Sequence, residues 1–425
     1  MLTPRLNRAY TRSRLWNKFR VQLGGVLLLS GVLPAIILTG VYDHYFATQA
    51  TQLSLVGNVL AACSSVYLVR SLSLYPGIQG VFFSFPSVLV SYTLTLSMFL
   101  LLRVDYSRVL LVSGASVTLM WLYITQFMAG RGPPLRAGVV PFGDVAILGT
   151  IDHLEVKTLE RPELASPFDI LVADFRADLP DDWEAFLADC ALLGIPVLHV
   201  KQLRESLTGR ADIQQLSENN FGSLIPFIGY LRIRRVFDFV SALIFGIVFL
   251  PLLLIVAVAI KLDSAGPALF RQVRVGYRGE LFWITKFRTM KVVSDDGGER
   301  SVAFTQDNDP RITRLGRYLR RTRIDELPQV LNILRGEMSW IGPRPEAEAL
   351  SRWYEEELPF YRYRHIVPPG ITGWAQVNQG HVFEIDQVTD KLQYDFYYIK
   401  NFSPTLDVLI LAKTIGTVIT GFGAR

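Results

Sequence analysis

Residues 236–260 read VFDFVSALIFGIVFLPLLLIVAVAI. Arg232, Arg234 and Arg235 precede this nearly continuous apolar run, and Lys261, Arg271 and Arg274 follow it. About 20 apolar residues suffice for a helix to cross a bilayer, so length alone permits a span. The flanks argue otherwise, because a crossing helix would leave one basic cluster on the outer side, against the positive-inside rule. Pro251 sits mid-run, and a proline inside a helix removes one backbone hydrogen bond and bends the axis. The combination predicts a re-entrant helical hairpin over 236–260, with Asp238 near its start and both ends on one face. An ordinary crossing helix is the competing reading.

Upstream, residues 1–20 carry Arg5, Arg8, Arg12, Arg14, Lys18 and Arg20 and form a basic, cytosolic N-terminus. Apolar runs at 21–41, 53–69, 80–102 and 108–128 predict four transmembrane helices within 21–130. The first run is too long for the apolar core of a signal peptide and is followed by more of the same, so it reads as an uncleaved helix. Arg70, Arg131 and Arg136 follow the second and fourth runs, while the 43–52 loop has neither Lys nor Arg; the N-terminus and the end of the fourth helix therefore face the cytosol. Arg103 and Arg108, between the third and fourth runs, weigh against that orientation. The runs hold almost no charge, which disfavours a solute transporter.

Half of the 425 residues are hydrophobic and 19% are charged, with a mean hydropathy of +0.29. That mixture fits a membrane part joined to a soluble part. The net charge of +5 is carried mostly by arginines near apolar segments. Phosphorylated substrates and inner-leaflet phospholipids are therefore the expected partners, and no nucleic-acid fold signature is present. Cys63 lies in an apolar run and Cys190 in a soluble segment, which predicts no disulfide. The five histidines form no zinc-binding cluster.

Residues 131–228 change character. VAILG (145–149), DILVAD (169–174) and IPVLHV (195–200) read as buried strands, and 181–194 and 201–209 as helices. Strand–helix–strand order predicts a parallel, Rossmann-like α/β module. No GxGxxG follows the first strand, since Gly149 stands alone before Thr150 and Ile151. A structural or regulatory role is therefore preferred to nucleotide binding.

The third part, 229–425, holds the chemistry. RTRIDELPQVLNILRGEMSWIGPRPE (321–346) contains the adjacent pair Asp325–Glu326 at a predicted helix start, with Pro328 in the first turn and Gly336 at the stop. Arg311, Arg314, Arg317, Arg320, Arg321 and Arg323 precede the pair, and Arg344 follows in a Pro-rich loop. Two carboxylates among arginines suit a divalent cation and attack on a phosphoryl group. The bland alternative is a capped amphipathic helix with a solvated charge run. Ile312, Leu315 and Leu319 share one helical face, and 406–422 is apolar but carries Asp407 and Lys413; both segments read as interfacial helices, or as helices on a globular core.

The order of motifs resembles the bacterial polyprenyl-phosphate sugar-1-phosphate transferases, in the form with an N-terminal four-helix extension. The resemblance rests on RRVFDF (234–239), GPALFRQVRVGYRG (266–279), KFRTM (286–290), the 321–346 stretch, PPGITGWAQVN (368–378) and YDFYYIKNFSPTLDV (394–408). It implies transfer of a sugar 1-phosphate from a UDP-sugar, glucose or galactose, to undecaprenyl phosphate with release of UMP and with Mg²⁺. Asp325 would be the nucleophile, and Glu326 would hold the metal or orient the acceptor. Arg320 and Arg344 match phosphate-contacting arginines, Asp395 an acidic residue of the C-terminal motif, and Pro251 the break of the re-entrant hairpin. Lys286 and Arg288 alternate on a predicted strand as substrate contacts or as an ordinary exposed face. Asp395 is a substrate contact or the acceptor of a tyrosine hydrogen bond. Gln376 is a uridine contact or, preferably, a loop-structuring amide. The implied fold is a four-helix transmembrane bundle, a Rossmann-like module and a small α/β catalytic domain with a re-entrant helix, at the bacterial inner membrane with the catalytic domain facing the cytosol. A homodimer is left open. The competing function is a membrane-bound, nucleotide-sensing regulator with a silent transferase domain; the intact Asp325–Glu326 pair with Arg344 argues against it.

Overall fold

The computed structural model describes residues 16, 18–34, 36, 48–73, 75–76, 80–130, 135–151, 154–164, 168–211, 226, 228–291, 309, 311–358, 360–379 and 385–420. The chain divides into two compact units, Met1–Gly209 and Arg210–Arg425.

The first unit opens with a short apolar helix, α1 (Phe19–Val32). Residues 35 and 37–41 of the first expected span lie outside the described residues. Three helices then have the length and composition to cross a bilayer: α2 (Gln49–Leu72), α3 (Gly80–Leu101) and α4 (Arg108–Gly130). Lipid offers no hydrophobic drive for helices to associate, so such bundles pack through small and polar residues. That pattern holds here. α2 buries Ser54, Gly57, Asn58, Ala61, Ala62 and Ser65 while exposing Val56, Leu60 and Tyr67. Asn58 Nδ2 donates to the Leu110 carbonyl at 2.7 Å, and Tyr92 and Thr118 share a hydrogen bond at 3.0 Å. Gly114 makes room for Asn58, because a Cβ there would lie 2.5 Å from the amide.

A four-stranded, all-parallel sheet follows, in the order β2–β1–β3–β4: β1 (Leu135–Val139), β2 (Leu154–Thr158), β3 (Ile170–Ala173) and β4 (Val197–His199). Helices α5 (Asp181–Leu192) and α6 (Val200–Thr208) complete the module. Every residue of β3 is buried, as befits a central parallel strand covered on both faces. One expected strand is corrected: 145–149 is no strand, and Ala146–Thr150 forms a 3-10 turn, while the strand that opens the sheet is Leu135–Val139. The run is apolar because Leu148 is a core side chain packed with Leu135 and Val172, and burial alone does not set the backbone.

The second unit is built on α7 (Ile228–Asp263), helical throughout its 36 residues with Pro251 inside it. At 1.5 Å per residue it is about 54 Å long, well beyond the roughly 30 Å of bilayer hydrocarbon. Its two halves pack on one body. Ala242 meets Phe282, Ile284, Val330, Ile333 and Met338, and Val256 and Ile260 meet Phe287 and Leu319. Between them Ile244, Ile247, Val248 and Leu250 are exposed.

That body comprises an antiparallel hairpin, β5 (Leu269–Val275) and β6 (Leu281–Phe287), and then α8 (Arg314–Arg321). A 3-10 turn over Ile324–Gln329 runs into α9 (Val330–Arg335), and a short parallel pair follows, β7 (Ser339–Ile341) with β8 (Gly370–Thr372). The remaining helices are α10 (Glu348–Glu357), α11 (Trp374–Asn378), α12 (Ile385–Lys400) and α13 (Pro404–Thr420). α13 buries Leu406, Asp407, Leu409 and Ile410 and exposes Val408, Leu411 and Ile415, so it packs by one face and stays apolar on another.

A buried polar knot fastens α7 to this body. Arg234 donates to Tyr398 Oη at 2.8 Å, to Ser339 Oγ at 2.6 Å and to the Ile341 carbonyl, and pairs with Asp407 at 3.3 Å. Ser339 in turn donates to Asp238 at 2.6 Å, and Tyr230 to Asp407 at 2.5 Å.

Close approach of α8 to the end of β6 depends on Gly316, where a Cβ would fall 2.1 Å from the Thr289 carbonyl oxygen. Gly316→Ala is expected to push the helix away, lowering stability by about 1–3 kcal/mol. Thermal unfolding of the purified variant should show a reduced Tm; an unchanged Tm would mean that the contact is slack.

Candidate active site

The carboxylate pair opens a helical segment, as the sequence suggests, but the first turn is 3-10. Asp325 and Glu326 sit in the 3-10 turn that precedes α9, not in the α-helix itself. Arg323 turns the chain sharply into it with φ +60, a left-handed conformation uncommon for a side chain other than glycine. Gly336 ends α9 with φ +89, the expected glycine stop. Asn332, fully buried, pins α9 to β6: it accepts from Thr285 N at 3.1 Å and donates to the Trp283 carbonyl at 2.7 Å. That register places Lys286, near the end of β6, against the pair.

Glu326 is clamped between two cations. Arg344 Nη2 donates to its Oε1 at 2.6 Å, and Lys286 Nζ reaches the same oxygen at 3.0 Å. Asp325 is buried too, yet its Oδ1 has no partner among the described residues. Arg320 stands near enough to stabilise the Asp325 anion, and its Nε donates to Thr289 Oγ1 at 2.9 Å. One carboxylate is thus fully committed and its neighbour is left with a bare oxygen.

A family model described as bacterial sugar transferase matches residues 229–421. Over 403 residues, 94% of each chain, this protein is 44% identical to the UDP-N-acetylgalactosamine-undecaprenyl-phosphate N-acetylgalactosaminephosphotransferase of Aeromonas hydrophila. The chain belongs to the bacterial sugar transferase family. It is an enzyme of the undecaprenyl-phosphate sugar phosphotransferase type. Two relatives named UDP-glucose:undecaprenyl-phosphate glucose-1-phosphate transferase match a shorter stretch. That of Escherichia coli (strain K12) is 40% identical over 45% of this chain and 41% of its own. That of Caulobacter vibrioides is 43% identical over 47% of this chain and 74% of its own.

Electrostatics separate the transferase's two carboxylates. Burial raises Asp325, and repulsion from Glu326 adds to it, while Lys286, Arg320 and Arg344 oppose. Burial pushes Glu326 upward too, but Arg344 and Lys286 hold it well below the ordinary carboxylate range. Burial pulls Lys286 down to about 8 against the attraction of Glu326. Paired acids whose surroundings drive them apart in this way are suited to separate tasks. Glu326 is a fixed anion that orients its cations, and Asp325 is the more basic group with an open lone pair.

The other expected site residues are dispersed. Arg288 turns away and donates to the Ser264 and Ala265 carbonyls at 2.6 and 2.9 Å, capping the end of α7. Asp395 is buried and accepts from Arg364 at 2.9 Å. Gln376 Nε2 donates to the Ile371 carbonyl at 3.0 Å, and its Oε1 is buried without a partner among the described residues. Sequence reading did not place Arg274, Glu346, Arg364 or Lys391 at the site, yet they converge behind Arg344: Lys391 bonds Glu346, and Arg274 and Arg364 each lie 4.0 Å from it. The signal available was charge inside strongly apolar or aromatic motifs, since buried charges come paired.

Mg²⁺ is commonly held by one or two carboxylates together with substrate phosphates. Among the described residues no cluster of three His, Cys, Asp or Glu exists. The bare Asp325 oxygen fits a site in which one carboxylate and the donor's phosphate oxygens share the ion.

Removing the Glu326 charge strands two buried cations. Glu326→Gln is expected to destabilise the domain by about 3–5 kcal/mol, the usual cost of breaking a buried pair from one side. A melting temperature equal to that of the wild type, whatever the activity, would contradict this arrangement.

Proposed function

We propose that the transferase moves a sugar 1-phosphate from a UDP-sugar to undecaprenyl phosphate, releasing UMP, as the first membrane step of a surface polysaccharide. The observation that carries this reading is the unpartnered, buried Asp325 oxygen beside a Glu326 locked by Arg344 and Lys286. The Asp325 oxygen attacks the donor's β-phosphorus; the bond from that phosphorus to the bridging oxygen breaks, and UMP leaves with the electron pair. An oxygen of the lipid phosphate then attacks the aspartyl-linked phosphorus and returns Asp325 to its free form. Guanidinium groups are apt here, since Arg344 and Arg320 offset charge on the phosphoryl oxygens and a planar fork binds two oxygens at once. The Asp325 carboxylate would hold Mg²⁺ together with the donor's phosphates, and the ion would supply further charge neutralisation.

UDP-N-acetylgalactosamine is the favoured donor, ahead of UDP-glucose and UDP-galactose, because a relative matched over 94% of both chains is named for it. The parallel module, 131–228, is read as Rossmann-like in a structural or regulatory role. α7 is read as re-entrant, entering and leaving the cytosolic leaflet of the inner membrane. Support comes from its basic flanks, from Pro251, and from the packing of both halves on one polar body around an exposed apolar middle. The exposed apolar side chains of α13, Val408, Leu411 and Ile415, then lie against inner-leaflet phospholipid, whereas Leu315 and Leu319 of α8 are taken up by packing with Val256 and Ile260.

Enzyme with Mg²⁺ and UDP-N-acetylgalactosamine, without lipid, should release about one UMP per site and keep a phosphosugar on Asp325, the burst of a two-step mechanism. Asp325→Asn should abolish both burst and turnover, a loss on the order of a thousandfold or more. UMP that appears only after undecaprenyl phosphate is added would rule out the covalent route. A panel of UDP-sugars with no UMP from any of them would overturn the transferase reading itself. For the membrane arrangement, cysteines at positions 233 and 263 should both react only from the cytosolic side of sealed vesicles; labelling from opposite faces would show a crossing helix.

A further inference from the structure

The loop that carries Arg344 has prolines on both sides of it, Pro343 and Pro345, and so lacks the two N–H groups that would ordinarily tie it down. Its carbonyls hold it instead. Pro343 O accepts from Gly370 N at 3.0 Å, and Glu346 O from Val275 N at 3.1 Å. The two between them are taken by side chains: Arg344 O by Arg364 Nη2 at 2.8 Å, and Pro345 O by Arg274 Nη1 at 2.9 Å. Each guanidinium is braced elsewhere. Arg364, 3% exposed, also donates to Asp395 Oδ2 at 2.9 Å and Tyr361 Oη at 2.6 Å, and Arg274 donates to Gln272 Oε1 at 2.7 Å. A planar fork can bridge two acceptors at a fixed angle, which an ammonium cannot. Asp395 is 1% exposed, and its Oδ2 is the oxygen that meets Arg364.

We propose that Arg364 and Arg274 are positioning residues: by gripping the carbonyls of Arg344 and Pro345 they fix the loop so that the Arg344 fork closes on Glu326, and Asp395 acts through Arg364. The proposal rests on the transferase reading for its kinetic consequence, but its geometry stands apart from it. The grip sets the direction of one side chain by holding its own backbone. Slack there withdraws Arg344 from Glu326, frees Lys286 to rearrange, and blurs the geometry on which in-line attack depends.

The test is a double-substitution cycle in full-length protein, read as UMP release. Arg364→Lys should lower kcat/KM roughly 10- to 100-fold, the range typical of groups that orient a contacting residue. Arg344→Lys should do at least as much, and the double variant should be no worse than Arg344→Lys alone, because both act through one side chain. Losses that multiply would overturn the proposal, since a merely structural defect adds to any other. Asp395→Asn should behave as Arg364→Lys does in the same cycle. Should Arg364→Lys fail to fold, Arg274→Lys, whose hydrogen-bonded brace is the Gln272 amide with Glu346 at 4.0 Å, takes its place. A structure of the folded variant decides the geometry without turnover: Arg344 should be displaced from Glu326, and an intact pair would refute the idea. Wild-type protein that releases no UMP from any UDP-sugar would instead sink the transferase reading, with this structural outcome still deciding the grip.

Discussion

A carboxylate taken out of water and held between two cations organises the catalytic unit. Isolated, a buried Glu326 would neutralise itself; with Arg344 and Lys286 against it, it stays ionised. Such a pairing adds little net stability, because desolvation of each ion offsets most of the attraction. Its value is specificity, since only one relative placement of β6, the 3-10 turn and the 343–346 loop satisfies all three groups together. Asn332 secures the first of these placements and the carbonyl grips the last. Asp325, next in sequence but not in the clamp, inherits the field without being consumed by it.

Length and hydropathy made the long apolar helices legible in the sequence, and a dense set of motifs made the family legible. The sequence located the turn at Pro328 and the stop at Gly336 for sound backbone reasons. It misplaced the opening strand of the parallel sheet, because VAILG is apolar for packing and carries no period that separates a strand from a buried turn. Arg288 was grouped with Lys286 by alternation along a strand, and local periodicity has no means of showing that its side chain reaches back to cap α7. Arg274 reads only as a flanking charge and Arg364 not at all for the same reason: their partners are carbonyls far away in sequence, and carbonyls leave no mark in a sequence.

α7 shows how composition and context divide the work. Its apolar middle obeys the hydropathy of a spanning helix, while its first turns bury Arg234 and Asp238, residues that a plain span would shed. A charge is admitted because a polar socket waits for it, lined by Ser339, Tyr398 and Asp407.

That socket has a consequence for biogenesis. Arg234 and Tyr398 are 164 residues apart, and Tyr230 and Asp407 are 177 apart. At a synthesis rate of roughly 5–20 residues per second, α7 leaves the ribosome on the order of ten seconds or more before its counter-charge exists. Over that interval Asp238, one turn further along the same helix, is the anion nearest to Arg234, and the rest of the socket is missing. The socket can therefore close only once α13 has been made, so the packing of this unit is completed from its C-terminus backward.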